Sequence, residues 1–398
     1  MILALVVVAA LVSAPRARAE EPSRPAADVE RSRADLGRLL FFDPRLSRDG
    51  TISCSSCHSP KKGWADDAAF SKGVGGRLGR RQALSLLNAK YRSSFMWDGR
   101  AATLEEQVKL PLSDPSEMGS GPDEAAKTAA GIDGYAPYFA AAYGDSEATY
   151  DRIAGAIASF ERTLVSTEAA YDRYRGGENG ALTASELRGL GIFKGKGNCF
   201  LCHNLQETGV EDGFHNIGIG FDRPPRDLGV YELTKRESDR GAFRTPPVRN
   251  LRYGAPYMHD GSLRTLEEVI DFYDKGGNDN PNLEFRMAPL HLSAAEKADL
   301  VAFLGALNSD PLIQAPPRNL PCLSGIISEC PSREPSRSIA PPAPTASRRR
   351  SGASCTEEPT RRSGMRSRRA NATCSSARHA ARRSCQTSRG STLSRMLR

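Results

Sequence analysis

Two Cys-x-x-Cys-His motifs constrain this chain more than any other feature. The first reads CSSCH from Cys54 and the second reads CFLCH from Cys199, 145 residues later. In such a motif the two thiols form thioethers to the vinyl groups of a haem, and the adjacent histidine binds its iron. A zinc knuckle or a redox dithiol is the alternative. The predicted haem c attachment residues are Cys54, Cys57 and His58 for the first group and Cys199, Cys202 and His203 for the second.

The N-terminal residues predict export to the periplasm. An apolar run from Ile2 to Val12 precedes the small-residue sequence Ala17-Arg18-Ala19, which indicates a signal peptide over residues 1–19. The run is too short to span a membrane, so we expect no membrane insertion. Haem is attached to such motifs outside the cytoplasm. The signal and the two motifs therefore disfavour the zinc and dithiol alternatives.

The net charge of +8 is concentrated in a C-terminal tail. Residues 315–398 contain 17 Arg, no Lys and 4 acidic residues, which gives +13 and leaves −5 for the rest of the chain. A mildly acidic body excludes the nucleic-acid-binding function that the overall charge suggests. The tail is rich in Arg, Ser and Pro, which predicts disorder. A frameshift that replaced the true C-terminus and a natural basic tail both explain this composition.

Helix signals predict a mainly α fold with long loops and few short strands. The spacing of the motifs suggests two cytochrome c-like haem domains, at residues 30–165 and 166–310. Capping boxes begin at Thr183, Thr265 and Ser293, and each opens a predicted helix. A helix before the motif, a long loop and a final helix are typical of a c-type cytochrome domain.

Three longer stretches resemble the bacterial di-haem cytochrome c peroxidase family, which includes the MauG-type enzymes. They read LLFFDPRLSRDGTISCSSCHSP, FMWDGRAATLEEQVKLPLSDPSEMG and FRTPPVRNLRYGAPYMHDGSLRTLEEVIDFYDKGG, and the resemblance extends over residues 30–308. It implies a peroxide-reacting N-terminal haem, an electron-transfer C-terminal haem and a calcium ion between the two domains.

The resemblance also implies a catalytic pocket above the first haem, formed by Gln107, Pro111 and Glu117. Glu117 would move a proton between the two peroxide oxygens while Gln107 orients the molecule. The alternative, that these are ordinary surface residues, is disfavoured by the matched context. Trp97 matches a tryptophan that the family places between the haems. An electron relay and simple core packing both remain open for it.

Two departures from the peroxidase pattern concern the iron ligands. The position where many members carry a second, blocking histidine is Val74, which cannot bind iron, so we expect a five-coordinate first haem. The position of the methionine that binds the second iron is Tyr273, as in MauG-type enzymes. Met258 and Met287 are the alternatives to Tyr273.

The calcium site implied by the resemblance is altered as well. Gln82 stands where the family has an asparagine, and the main-chain carbonyls of Gly254 and Pro256 would complete the site. Carbonyl oxygens suit a hard cation such as calcium.

Together these residues predict an exported di-haem enzyme that reduces hydrogen peroxide with electrons from a small cytochrome c or cupredoxin. A MauG-like oxidase, which uses peroxide to modify a partner protein or a small molecule, is the first alternative. A non-enzymatic di-haem electron-transfer cytochrome is the second, and it requires two six-coordinate irons. A homodimer is compatible with the sequence.

Overall fold

The structure is a computed structural model that describes residues 24–203, 205, 213–221, 224, 226–310 and 314–322. The predicted signal peptide, residues 1–19, lies outside the described residues, as does the tail beyond Cys322. Residues 315–322 are described and lie against the N-terminal part of the chain. There Arg45 donates to the carbonyl oxygen of Pro321 at 2.9 Å. The disorder and frameshift interpretations of the tail stay predictions.

Helices make up nearly all of the regular secondary structure in the described residues, and the predicted mainly α fold is confirmed. Among these residues, the α-helices of the first half are α1 (Ala26–Phe41), α2 (Cys54–Cys57), α3 (Leu104–Ser113), α4 (Pro122–Ala130), α5 (Ala136–Tyr143) and α6 (Tyr150–Glu161). Those of the second half are α7 (Ala170–Arg175), α8 (Ala184–Lys194), α9 (Tyr231–Thr234), α10 (Leu266–Asp274) and α11 (Ala294–Ala306). Strands β1 (Phe214–His215) and β2 (Phe243–Arg244) pair antiparallel. Over the described ranges, none of the helices is both long and apolar enough to cross a membrane.

Side-chain caps begin the helices that the sequence predicts. Thr183, Thr265 and Ser293 each accept a hydrogen bond from the amide three residues further on, and α8, α10 and α11 start at the next residue. An N-cap hydroxyl satisfies a donor that has no partner within the helix. The three helix predictions are therefore confirmed.

Two hydrophobic clusters hold the described residues together. Helices α1 to α6 surround the first cluster, and α7, α8, α10 and α11 contribute to the second. We call residues 26–164 the first module and residues 170–307 the second module. The exact domain boundary between residues 165 and 166 stays a prediction.

The main helix pair of each module crosses at a glycine. A Cβ at Gly37 of α1 would lie 1.8 Å from the carbonyl oxygen of Ala156 in α6, and a Cβ at Gly189 of α8 would lie 2.0 Å from that of Asp299 in α11. Any larger residue would force the helices apart. The same close crossing therefore supports both modules.

The two modules contain the same structural unit. The stretch MWDGRAATLEE from Met96 corresponds to MHDGSLRTLEE from Met258, 162 positions later. Both methionines have a positive φ, 66° and 74°. Each stretch runs into a helix whose cap, Thr103 or Thr265, accepts an amide hydrogen bond at 3.1 Å. The constant offset gives each residue of α3 up to position 112 a counterpart in α10.

The two units meet through reciprocal hydrogen bonds. The amide of Gln82 donates to the carbonyl oxygen of His259 at 2.8 Å, and the amide of Arg244 donates to that of Trp97 at 2.7 Å. Gln82 and Arg244 are 162 positions apart, and so are Trp97 and His259. Exchanged contacts of this kind are the signature of a two-fold interface. The modules are thus related by an approximate two-fold arrangement at this junction.

Candidate active site

A cavity of about 480 Å³ lies beside the first Cys-x-x-Cys-His motif. Its wall contains Cys57 and His58 together with Gln107, Pro111 and Glu117. We call it the first cavity. The fold therefore brings together the residues that the sequence predicts on the two sides of one haem.

His58 is held so that one ring nitrogen stays available. Its Nδ1 lies 3.1 Å from the carbonyl oxygen of Trp64, which can only accept, so Nδ1 carries the proton. Burial lowers the pKa of His58 and keeps the ring neutral. The Nε2 lone pair is then free for iron. His203 repeats the arrangement, with Nδ1 at 3.1 Å from the carbonyl oxygen of Pro246 and a pKa that burial lowers to about 4.

Gln107 and Pro111 lie one turn apart on α3 and face the same cavity. The Oε1 of Gln107 is buried and has no hydrogen-bond partner among the described residues. Leaving a buried acceptor unsatisfied costs about 1–3 kcal/mol. A polar ligand in the first cavity would remove that cost, whereas Pro111 offers the cavity an apolar surface only.

Glu117 follows α3 in a loop that is anchored on Val74. The amide of Val74 donates to the carbonyl oxygen of Glu117 at 2.8 Å, and the Val74 side chain is fully buried. Burial, with a smaller contribution from the charge of Asp114, raises the pKa of the Glu117 carboxyl to about 7 against the opposing effect of Arg100. Such a carboxyl is populated in both protonation states at neutral pH, so it can both accept and donate a proton.

Trp97 lies between the first cavity and two cavities beside the second motif, because it contributes to the wall of each. Its Nε1 donates to the carbonyl oxygen of Gln82 at 2.8 Å. Its ring centre is 6.2 Å from that of His259, and His259 stacks on Phe243 at 3.7 Å. These contacts fix the indole at the junction of the modules and also pack it, so the relay and packing interpretations are compatible.

Two adjoining cavities of about 130 and 160 Å³ lie beside the second motif. Cys199, His203, Met258 and Tyr273 line both, and Met287 lines the smaller one. Burial raises the pKa of the Tyr273 phenol above its ordinary value, so a bound cation would be needed to ionise it. Tyr273 and both of its alternatives therefore lie near the second motif histidine.

Sequence reasoning missed one candidate ligand near the first motif. Met96, the counterpart of Met258, lines the first cavity. Its thioether would be a further sulfur donor in the cavity that contains His58. The repeated pattern MWDG and MHDG was the sequence signal that would have found it.

Two of the three residues predicted to bind calcium line the same cavity. Gln82 and Gly254 line the larger cavity of the second motif, and Pro256 follows Gly254 by two residues. Over the described part of the chain, no three His, Cys, Asp or Glu side chains form a group able to hold a metal. A calcium ion at this place would have to rely on carbonyl oxygens.

Comparison with known proteins places the chain in a family. A family model described as di-haem cytochrome c peroxidase matches residues 31–180. The methylamine utilization protein MauG of Methylorubrum extorquens is 42% identical over 279 residues, which are 69% of this chain and 78% of that protein. The chain belongs to the di-haem cytochrome c peroxidase family.

Two further similarities support the membership of the chain in this family. The cytochrome c551 peroxidase of Nitrosomonas europaea is 36% identical over 322 residues, covering 80% of this chain and 92% of that protein. The crystal structure of a MauG-like protein associated with microbial copper homeostasis matches with a TM-score of 0.65 and 35% identity, over 72% of this chain and 91% of that one. The predicted family, fold and enzyme class are confirmed.

As a di-haem peroxidase the chain holds two haem groups, and the residues present fit them. Each motif histidine offers one nitrogen to a cavity, and the four motif cysteines are free thiols that form no disulfide. The unsatisfied Oε1 of Gln107 points to a polar ligand in the first cavity. The two sites are not equivalent, because among the described residues a tyrosine lines the cavity of the second motif histidine but not that of the first.

Proposed function

We propose that this di-haem peroxidase is exported to the periplasm and reduces hydrogen peroxide at its first haem, with electrons that arrive through the second. The first haem would be bound covalently by Cys54 and Cys57 and ligated by His58. The second would be bound by Cys199 and Cys202 and ligated by His203. The predicted signal peptide supports export, since covalent attachment takes place outside the cytoplasm.

The contents of the first cavity carry this proposal. Reduction of hydrogen peroxide to two waters consumes two electrons and two protons. The haem, when bound, supplies the iron that binds peroxide and passes the electrons to it. Glu117 takes a proton from one peroxide oxygen and gives it to the other, so that the departing oxygen leaves as water. The Gln107 amide orients the peroxide, and Pro111 keeps a competing ligand away.

The second haem would be closed by Tyr273. We assign this residue ahead of Met258 and Met287 because it matches the ligand position of the MauG-type enzymes. Burial and then the neighbouring Cys199 and Cys202 raise the pKa of its phenol, which therefore lies beside the second attachment motif. A haem without an open position can exchange electrons only, and Trp97 would carry them between the two sites.

The electron donor would be a small redox protein such as a cytochrome c or a cupredoxin. The two residues between the cysteines of the second motif, Phe200 and Leu201, are large, apolar and exposed. In the first motif this pair is Ser55-Ser56. An apolar surface beside the second haem favours contact with a partner protein there.

We also include in the proposal a calcium ion bound near Gln82.

A MauG-like oxidase is the second candidate, and Tyr273 favours it. In that case the oxidising equivalents obtained from peroxide would be used on a partner protein or small molecule. The sequence identity of 42% with the methylamine utilization protein MauG supports the same candidate.

Steady-state turnover of the holoprotein separates the two candidates. We expect peroxide-dependent oxidation of a reduced cytochrome c or cupredoxin, and a loss of about 10²–10⁴-fold in E117Q. Rapid reaction with peroxide but no turnover with any reduced donor would favour the MauG-like oxidase. No reaction with peroxide at all would refute both.

A further inference from the structure

Arg81 forms a buried ion triad with Asp98 and Asp227. Its Nη1 lies 2.6 Å from Oδ2 of Asp98, and its Nε and Nη2 lie 2.6 and 2.7 Å from the two carboxylate oxygens of Asp227. The three side chains are 10%, 4% and 16% exposed. Arg81 and Asp98 belong to the first module and Asp227 to the second. A bidentate pair with this little exposure is a strong and directional contact between the modules.

Two residues connect the triad to Trp97. Asp98 follows Trp97 directly in the chain. Gln82, which follows Arg81, accepts the indole Nε1–H through its carbonyl oxygen at 2.8 Å. Fixing the Arg81 side chain therefore fixes the main chain at Asp98, next to Trp97, and the Gln82 carbonyl that accepts from the indole. Together these hold the indole between the cavities.

A third contact connects Arg81 to the aromatic residues around Trp97. The Cζ of Arg81 lies 5.4 Å from the ring centre of Phe243, within the range of a cation–π contact. Phe243 stacks on His259, whose ring faces Trp97. Arg81 therefore supports the groups that surround the Trp97 indole.

We propose that Arg81 is a positioning residue for electron transfer between the two haem sites, and that its ion pairs with Asp98 and Asp227 hold the Trp97 indole in place. The inference rests on the proposed relay through Trp97. No proton is taken up or released by the triad in this role. Its contribution is geometric, and a displacement of about 1 Å at a reacting group can cost about 100-fold in rate.

The simpler alternative is that the triad only joins the modules. Both interpretations expect lower stability when the triad is broken, so stability does not separate them. Removing Arg81 itself would leave the buried carboxylate of Asp227 without its arginine and that of Asp98 with Arg100 alone, at a cost of about 3–5 kcal/mol. D227N is the better variant, because it keeps the shape of the side chain and leaves the pair of Arg81 with Asp98.

A double-mutant cycle on the holoenzyme tests the proposal with D227N, W97F and the combination of both. The measured quantity is the rate at which a previously reduced second haem is oxidised after peroxide reacts at the first, followed by its absorption band. We expect D227N to slow this step about tenfold with Trp97 present and less than about twofold in W97F, since coupled residues are not additive. R81K, which keeps the cation without the bidentate fork, should slow it less than D227N.

E237Q is the control, because the Arg240–Glu237 pair is similarly short, at 2.8 Å, but is exposed at 30% and 71% and lines none of the three cavities. It should leave the rate unchanged. The proposal would be overturned if D227N slowed the step equally with Trp97 present and in W97F. It would also be overturned if neither D227N nor R81K slowed the step. If W97F itself changes nothing, the relay is wrong, whereas peroxide turnover tests the peroxidase function separately. Unchanged EPR spectra of both haems in each variant exclude damage to the sites.

Discussion

Pro111 and Tyr273 occupy the same position in two copies of one structural unit. They are 162 residues apart, and each is the eighth residue of its helix, α3 or α10. Each lines a cavity beside a motif histidine. A proline side chain offers no donor to iron, while a phenol does. Under the proposed assignment, this difference would leave the first site open and close the second.

Replacing Pro111 by tyrosine should close the first haem. If the new phenol occupies the iron about 99% of the time, the reaction with peroxide slows about 100-fold. Stopped-flow mixing with peroxide measures the rate, and the EPR spectrum should lose its high-spin signal. P111A is the control, since it restores the amide but supplies no ligand. Wild-type reactivity in P111Y would show that the two positions are not equivalent.

The converse substitution, Y273F, should open the second haem. Phenylalanine keeps the ring in its buried place and removes only the oxygen, so the second iron loses its sixth ligand and changes its EPR signal. M258L and M287L should leave that signal as it is. A changed signal in either methionine variant, with Y273F unaffected, would identify a thioether ligand and refute Tyr273.

The reaction with peroxide should accelerate as the pH rises through about 7, the pKa to which burial raises the Glu117 carboxyl. Below that pH the carboxyl is mostly protonated and cannot accept the first proton from peroxide. E117Q should be slow at every pH and lack this inflection. A wild-type inflection that persists in E117Q would assign the proton transfer to another group.

Glu161, at the end of α6, should make the folded protein less stable at alkaline pH. Its side chain is 4% exposed, Oε2 has no hydrogen-bond partner among the described residues, and burial raises its pKa from 4.5 to about 8. The unfolded chain ionises above 4.5 while the folded chain keeps the proton up to about 8. Stability therefore falls across that window, at about 1.4 kcal/mol for each pH unit, and levels off above it.

E161Q removes the buried acid and should flatten this dependence. Thermal unfolding of the holoprotein between pH 5 and 9 measures it, with the wild type losing Tm over that range more steeply than the variant. Parallel curves for the two proteins would mean that Glu161 is ionised, or paired through water, in the folded state.

The attachment residues could be predicted from the sequence because a histidine next to a motif cysteine keeps its relation to it wherever the segment packs. The helix starts at Thr183 and Ser293 were predictable for the same reason, since a cap depends on neighbouring residues only. The pocket residues Gln107, Pro111 and Glu117 were implied only by the resemblance to the di-haem peroxidase family.

Contacts between distant segments could not be predicted in this way. The pairing of Arg81 with Asp227 joins residues 146 positions apart, and nothing in the local pattern selects one aspartate over another. The position of Met96 in the first cavity depends equally on tertiary packing. The repeat of MWDG and MHDG was readable, but only the reciprocal hydrogen bonds show that the two copies face each other.

An EPR spectrum of the fully oxidised holoprotein, recorded before and after peroxide, tests the central claim most directly. An open first haem and a closed second haem predict one high-spin and one low-spin ferric signal, and peroxide should abolish the high-spin signal. Two low-spin signals that are indifferent to peroxide would contradict the account. They would mean that a ligand such as Met96 closes the first iron, and that the first cavity is not a peroxide site.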